Sequence, residues 1–381
     1  MTATNPSAAS APVPVPEAPR LPDDLETPCL VVDLDVAETN ARRMADGAAA
    51  RGVLLRPHIK THKSVALARM QLDHGAAGIT VGTLGEAEVM ADGGIDELFV
   101  GYPVWAAGTK AGRIRALHER CALTVGVDSA EAGLLLADAA RGSKAGPLRV
   151  LVEMDSGARR SGVAGPAEAL AVATAARDAG LEVIGVFTHG GHGYRAPGAG
   201  PAAAADEIAV LGAAADALRG AGFAIERVSA GSTPTGVLAA AGQVTEIRPG
   251  TYLLGDRQQF ALGAIPADGI ALVVAATVVS TAVDGQVVLD AGAKTLTKDR
   301  APFLEGFGVI PAYPAATIER LFDYHAAVSI PDGGPAPRLG DVVAIVPNHV
   351  CPVVEQFDEF VVARNGFAEG RWPVDARGQS R

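Results

Sequence analysis

The chain has 381 residues, of which 49% are hydrophobic and 4% aromatic, and it carries a formal net charge of −11. This length suits two domains or one large barrel with an appendage, and the aliphatic content is sufficient for a sizeable core. The negative charge argues against nucleic acid or an anionic membrane as a partner. No apolar run reaches the ~18 residues of a membrane-spanning helix. The three cysteines favour a reducing cytoplasm over a disulfide framework.

The N-terminal segment, residues 1–22, is rich in Ala, Pro and Ser and is predicted to be a disordered tail. The apolar run within residues 26–34 has the composition of a strand. Because it precedes the first barrel strand, it is a candidate to pair with the C-terminal domain instead.

Residues 23–264 are predicted to form a barrel. Short β-branched runs alternate there with Ala-rich helical patterns, and the strand candidates are 53–57, 78–82, 97–102, 122–127, 147–154, 181–188, 225–230 and 245–249. Eight such alternations are typical of a (β/α)8 TIM-like barrel. An open doubly wound sheet is the alternative, and the count of eight favours the barrel.

Residues 265–381 follow a different pattern. Strand-like runs such as 271–280, 286–289, 341–346 and 359–363 are separated by Gly, Pro and Asp, with little helical pattern. This predicts an all-β C-terminal domain.

The first strand leads into a basic motif, Arg56-Pro57-His58-Ile59-Lys60-Thr61-His62-Lys63. In a barrel, reactive groups lie at the C-terminal ends of strands. A lysine placed there among other cations is favoured as an unprotonated amine, which can form a Schiff base. The alternative is an ordinary basic loop. The next four strands end near Thr83, Glu86, Tyr102, Asp128, Glu153 and Asp155.

The loops after the seventh and eighth strands are rich in Gly and hydroxyl residues, namely Gly231, Ser232 and Thr233, then Gly250, Thr251 and Tyr252. Such loops offer N–H and O–H donors to a phosphate. Together with Lys60 they indicate pyridoxal 5′-phosphate. Arg160, after the fifth strand, is predicted to face the pyridine nitrogen of that cofactor.

His349 and Cys351 follow an apolar strand. If they continue it, they lie on one face and can bind one metal together. Imidazole plus thiolate favours Zn²⁺, with Mn²⁺ as the alternative, although a buried structural cysteine is also consistent with the pattern. Pattern alone does not place His325 near this pair.

These motifs together resemble the D-threonine aldolase and D-serine dehydratase family of fold-type III pyridoxal phosphate enzymes, over about residues 26–376. The resemblance implies an alanine-racemase-like barrel plus β domain, a head-to-tail homodimer, and Lys60 as the residue that holds the cofactor. It further implies a divalent metal on His349 and Cys351 that coordinates the β-hydroxyl of a D-amino acid.

Within this family a His-x-Cys pair is similar to the dehydratases and a His-x-Asp pair to the aldolases, so Cys351 favours dehydration to a 2-oxo acid and ammonia. Retro-aldol cleavage to glycine and an aldehyde is the alternative. The family's usual Glu-His-Gly is replaced here by Tyr324-His325-Ala326, which puts the relay expected around His325 in question.

Lys60 is the expected base at Cα, and His58 and His325 are the further catalytic candidates, with Tyr194 as a cofactor contact and His192 as another candidate for a base or ring contact. Two more distant alternatives remain. An amino-acid racemase would need a second acid, for which Tyr313 or Tyr324 is available, and a non-catalytic pyridoxal phosphate carrier would need neither the metal pair nor the β domain.

Overall fold

The computed structural model describes residues 14–381. Residues 1–13 of the predicted tail lie outside this range. Residues 14–22 form no helix or strand, but Val15, Ala18 and Leu21 pack against the C-terminal domain. The Glu17 amide donates to the Ala267 carbonyl at 3.1 Å.

The first strand and helix are β1, Cys29–Asp33, and α1, Leu34–Ala49. The five residues of β1 are all buried, which suits a central strand of a sheet. Asp33 ends the strand and caps the helix, because its carboxylate accepts from the amides of Asp35 and Val36.

Eight parallel strands within the described range then form one sheet. They are β2 Leu54–Leu55, β3 Ile79–Val81, β4 Glu97–Pro103, β5 Ala122–Val127, β6 Arg149–Met154, β7 Glu182–Thr188, β8 Arg227–Ala230 and β9 Glu246–Ile247. Strand β9 pairs with β2, and a parallel bridge between His58 and Thr80 joins the end of β2 to β3. The sheet therefore closes on itself, and the predicted (β/α)8 barrel is confirmed.

The helices of the barrel region are α2 Val65–Asp73, α3 Leu84–Asp92, α4 Thr109–His118, α5 Ala130–Ala140, α6 Pro166–Asp178, α7 Gly200–Gly220 and α8 Arg257–Ala261. Phe99, Leu151, Ile184 and Phe187 fill the barrel interior. The rings of Phe99 and Phe187 meet edge to face with centroids 5.1 Å apart. Gly126 makes room for them, because a Cβ at this position would lie 2.6 Å from Phe187.

The C-terminal domain is mostly β. Its elements are β10 Leu272–Ser280, β11 Gln286–Leu289, α9 Ala293–Leu296, β12 Thr317–Leu321, β13 Ala326–Ser329, β14 Val342–Ile345, α10 Val350–Val354, β15 Glu359–Arg364 and β16 Phe367–Pro373. Strand β1 lies between β10 and β15, so the run expected to pair with this domain does so. Strands β12, β13 and β16 were not predicted. None of the helices among residues 14–381 has both the length and the apolar character needed to cross a membrane.

One apolar cluster joins the two parts of the molecule. It includes Leu67 and Met70 of α2, Leu253 after β9, and β-domain residues such as Val353 of α10. Helix α10 thereby packs beside the short 3₁₀ turn Ile59–Thr61 that follows β2. This packing brings the predicted metal pair next to the predicted cofactor lysine.

Candidate active site

Lys60 lies in the 3₁₀ turn after β2. His58 caps this turn, since its Nδ1 accepts from the Lys60 amide at 3.3 Å. The amine donates to the Tyr102 hydroxyl at 2.7 Å, and Tyr102 is near the end of β4. Two adjacent strand ends therefore hold the lysine against a phenol, a group that can accept and return a proton.

Two histidines, His58 and His189, line the same cavity as this lysine. Burial, followed by the nearby charge of Lys60, lowers the pKa of both His58 and His189 well below the usual range for histidine. The Nε2 atom of His58 is buried and has no hydrogen-bond partner within residues 14–381. Both imidazoles are thus neutral and suited to packing against an aromatic ring or donating one hydrogen bond to it.

The loops after β8 and β9 form a cup of donors in the cavity that Lys60 also lines. Gly231 has φ +86°, and a Cβ at Gly250 would lie 2.7 Å from the His58 carbonyl, so glycine is required at both positions. Tyr194 lines the same cavity as this cup, and burial raises the pKa of its hydroxyl. Glu207 holds the loop that contains Gly231, because its carboxyl accepts from the Gly190 and Gly231 amides at 2.8 and 3.0 Å.

Arg160 lines the same cavity as the cup. Its guanidinium lies 4.8 Å from the centre of the Tyr102 ring, and one nitrogen lies 3.8 Å from the Glu153 carboxylate. The lysine, the arginine and the cup line one cavity with an empty volume of about 440 Å³. An amine, glycine-lined donors and an orphaned imidazole nitrogen around one cavity fit pyridoxal phosphate.

His349 and Cys351 lie in a second cavity of about 710 Å³, which shares Lys60, His189, Tyr194 and Thr251 with the first. The His349 Nδ1 meets the Asp299 carboxylate at 2.6 Å, which leaves Nε2 for a metal. The Cys351 sulfur lies 3.4 Å from the Thr61 hydroxyl, one residue from Lys60. The metal pair and the lysine therefore face the same space.

The charges of His349 and Cys351 influence each other's pKa. Burial opposes the imidazolium, but the Cys351 thiolate and Asp299 outweigh it and raise the pKa of His349 to about 11. Burial also opposes the thiolate, yet His349 lowers the pKa of Cys351. A cation is therefore stabilised between a thiolate and a carboxylate, which is what a divalent metal needs when it replaces the proton.

The prediction that His349 and Cys351 share a strand face is wrong. Strand β14 ends at Ile345, His349 is the extended N-cap of α10, and Cys351 lies in the first turn of that helix. The turn still brings the two side chains together. Within the described chain no third His, Cys, Asp or Glu completes a cluster of metal ligands. Two protein ligands leave positions open for water or substrate, as in a catalytic site.

Lys63, three residues after Lys60, makes two buried ion pairs. It is buried with φ +53°, and its amine lies 3.5 Å from Glu86 and 2.5 Å from Glu355. Glu355 caps the C-terminal end of α10, and Glu86 is in α3 of the barrel. A strained, buried cation thus ties the lysine loop to the helix that carries Cys351.

Some predicted residues lie outside this site. His325 is exposed at the tip of the β12–β13 hairpin and lines neither cavity of its own chain. Tyr252 contributes only its amide, which donates to Thr233; its ring is buried in the core, and its hydroxyl accepts from Gln71 at 2.9 Å. His192 bonds Asp206 at 3.1 Å outside both cavities.

Other residues in the site had no role assigned from the sequence. Tyr102 and His189 each stand at or directly after the end of a barrel strand, so position alone could have indicated them. Asp299 has no such signal, because it lies in an irregular loop after α9 and reaches His349 only through the fold.

The fold and this pair of cavities define the class of pyridoxal phosphate-dependent lyases built on the alanine-racemase-like barrel. The family model for the N-terminal domain of alanine racemase matches residues 32–258, and a family model described as a serine dehydratase domain matches residues 271–363.

Comparison with individual proteins identifies the family within this class. The D-threo-3-hydroxyaspartate dehydratase of Delftia sp. (strain HT23) is 35% identical and aligns with 88% of this chain and 93% of its own. The D-threonine aldolase structure from Filomicrobium marinum is 33% identical, has a TM-score of 0.85, and covers 96% of this chain and 100% of its own. A solved cysteine-to-alanine mutant of D-threo-3-hydroxyaspartate dehydratase, described as metal-free, is 33% identical with a TM-score of 0.84, and covers 92% and 98%. The chain belongs to the D-threonine aldolase and D-serine dehydratase family.

Proposed function

We propose that this chain is a pyridoxal phosphate- and divalent-metal-dependent dehydratase of D-β-hydroxy amino acids. The observation that carries the proposal is the shared edge of the two cavities, where Lys60 faces the cofactor cup on one side and the His349–Cys351 pair on the other. A substrate held at that edge presents Cα to the lysine and its β-oxygen to the metal pair.

Pyridoxal phosphate, when bound, supplies an electron sink for the bond broken at Cα. Gly231, Ser232, Thr233, Gly250 and Thr251 would hold its phosphate, and Tyr194 lies among these donors. Arg160, whose guanidinium lies 4.8 Å from the centre of the Tyr102 ring, would face the pyridine nitrogen of the cofactor.

Lys60 is the base proposed for the Cα proton. The Tyr102 hydroxyl, 2.7 Å from its nitrogen, can hold that nitrogen in position and exchange a proton with it. The neutral imidazoles of His58 and His189 add no positive charge beside the amine, and their burial keeps water away from it.

A divalent metal, when bound, acts as a Lewis acid on the β-oxygen. We propose Zn²⁺, with Mn²⁺ as the alternative, because imidazole and thiolate together suit a borderline-soft ion. Support comes from the orientation of His349 by Asp299 and from the related dehydratase whose cysteine mutant is described as metal-free.

Dehydration is preferred over retro-aldol cleavage because the second ligand is Cys351. Cleavage remains the second candidate, since the Filomicrobium marinum relative at 33% identity is a D-threonine aldolase. Incubation with D-threonine separates the two: 2-oxobutyrate and ammonia support dehydration, whereas glycine and acetaldehyde would assign the chain to the aldolases. Chelation is expected to stop either reaction, and full activity in a chelator would contradict the metal role.

We also propose a cytoplasmic homodimer with a barrel domain of residues 23–264 and a β domain of residues 265–381. The hairpin tip at Phe322–His325 supports the dimer, because Phe322 and Tyr324 are 56% and 63% exposed. A second copy that covers this tip would also give His325 access to a site. Sedimentation of the intact protein tests the state, and a monomer at micromolar concentration would refute it.

A further inference from the structure

Arg300 lines the cavity that contains the metal pair, yet the proposed reaction gives it no part. It directly follows Asp299, whose carboxylate bonds His349 at 2.6 Å. The arginine therefore lines the cavity next in sequence to the residue that orients His349.

The guanidinium is held in place without a counter-ion. It stacks over the ring of Phe307 with a centroid distance of 5.0 Å, and the Phe307 amide is anchored to the Ile318 carbonyl at 3.1 Å. Among residues 14–381, no carboxylate oxygen lies within 4.0 Å of the Arg300 nitrogens. A pre-positioned guanidinium with its planar fork free is suited to a carboxylate from a ligand.

The other charged groups that line this cavity are engaged. Lys60 is the cofactor lysine, Asp299 accepts from His349, and Cys351 pairs with His349. Asn348 is also committed, since its side chain donates to the Gly306 carbonyl at 2.9 Å and accepts from Arg257. Arg300 is thus the cation of this cavity that is left for a substrate anion.

We propose that Arg300 is a specificity-determining residue that binds a second carboxylate, carried on Cβ of the substrate. This rests on the proposed function, because it is the metal pair that would direct Cβ and its oxygen towards this end of the cavity. The preferred substrates would then be dicarboxylic D-β-hydroxy amino acids. The net charge of −11 makes such a local cation valuable, since the chain as a whole repels a substrate whose two carboxylates outweigh its ammonium group.

The experiment compares D-threo-3-hydroxyaspartate with D-threonine as substrates of the wild type and of Arg300→Gln. We expect kcat/KM for the dicarboxylic substrate to fall about 10²-fold, and that for D-threonine to change less than about threefold. Arg300→Lys is expected to give an intermediate loss, because an ammonium keeps the charge but not the fork.

Lys298→Gln is the matched control, because it removes the same charge from an exposed residue two positions away that does not line the cavity. It is expected to leave both substrates unaffected. Visible absorbance of bound pyridoxal phosphate and the melting temperature should be unchanged in all three variants, since Arg300 is exposed.

An equal loss for both substrates would overturn the proposal and assign Arg300 to the α-carboxylate or to the fold, and no loss for either would overturn it as well. An equal effect of Lys298→Gln would reduce the result to general electrostatics and also overturn it. Failure of the wild type to turn over either substrate would instead refute the proposed function, and the proposal on Arg300 with it.

Discussion

The two ends of the active-site cavity treat histidine in opposite ways. At the lysine end, burial and neighbouring cations push the pKa of His58 and His189 down, so both rings stay neutral. At the metal end, the anions Cys351 and Asp299 overcome burial and raise the pKa of His349 to about 11. The same side chain in similarly buried surroundings therefore acquires a different charge, which depends on the sign of its neighbours.

This difference matches the groups proposed for the two ends, which are the cofactor and the metal. The lysine end keeps its two histidines neutral beside an amine that, under the proposed function, must lose its proton, and it offers hydrogen-bond donors to the proposed phosphate. The metal end holds a proton on His349 that a dication would displace. Lys63 joins the lysine loop to helix α3 through its ion pair with Glu86 and to helix α10 through its ion pair with Glu355.

The largest effect is expected from Lys60→Ala, which should lower kcat more than about 10³-fold and abolish the visible absorbance of bound cofactor. If the two ends are independent binding sites, zinc affinity measured by calorimetry should change little in the same variant. A variant that keeps its absorbance would show that Lys60 does not hold the cofactor, and one that loses zinc as well would show that the ends are coupled.

Removal of a metal ligand tests the other end. Cys351→Ala is expected to lose zinc binding in calorimetry and most activity, while the cofactor absorbance remains. Asp299→Asn should weaken zinc binding by about 10- to 100-fold, because it removes the group that orients His349. Unchanged zinc affinity in both variants would place the metal elsewhere.

The next test concerns the ion pairs of Lys63 with Glu86 and Glu355. Lys63→Met leaves Glu86 and Glu355 without their cation and is expected to lower the free energy of unfolding by about 3 kcal/mol in denaturant titrations. Glu355→Gln should cost less, because Glu355 is 28% exposed and water can solvate the remaining groups. Equal stability of the Lys63→Met variant and the wild type would mean that the bridge contributes nothing.

The last test concerns pH. His62 is fully buried, and burial lowers its pKa to about 4, whereas the unfolded state keeps about 6.5. Between these values the unfolded chain binds the extra proton, so the stability that neutral His62 contributes is present above about pH 6.5 and is lost as the pH falls towards 4. The loss should total about 3 kcal/mol. Urea titrations at stepped pH should show a shallower fall in His62→Gln, and parallel curves would contradict this origin.

Much of the architecture could be predicted because it depends on local pattern. The eight strand positions and the glycines at 231 and 250 follow from periodicity and turn chemistry, and the eight observed barrel strands fall within or close to the predicted ranges. Strands β12, β13 and β16 were missed, since runs such as Phe367–Pro373, with mostly exposed residues, show no apolar alternation. The geometry of α10 was missed because a five-residue helix gives no helical period.

The sequence by itself determined the strand–helix rhythm, the lysine at the end of the first barrel strand and the donor-rich loops that complete the cofactor cup, because each is encoded within a few neighbouring residues. Only the tertiary structure decided that Tyr102 meets Lys60, that Asp299 orients His349 and that Arg300 faces the same cavity without a counter-ion. These contacts join residues 42 to 50 positions apart, or depend on which carboxylates lie nearby in space. Such contacts depend on how the barrel and the β domain pack, which no local pattern records.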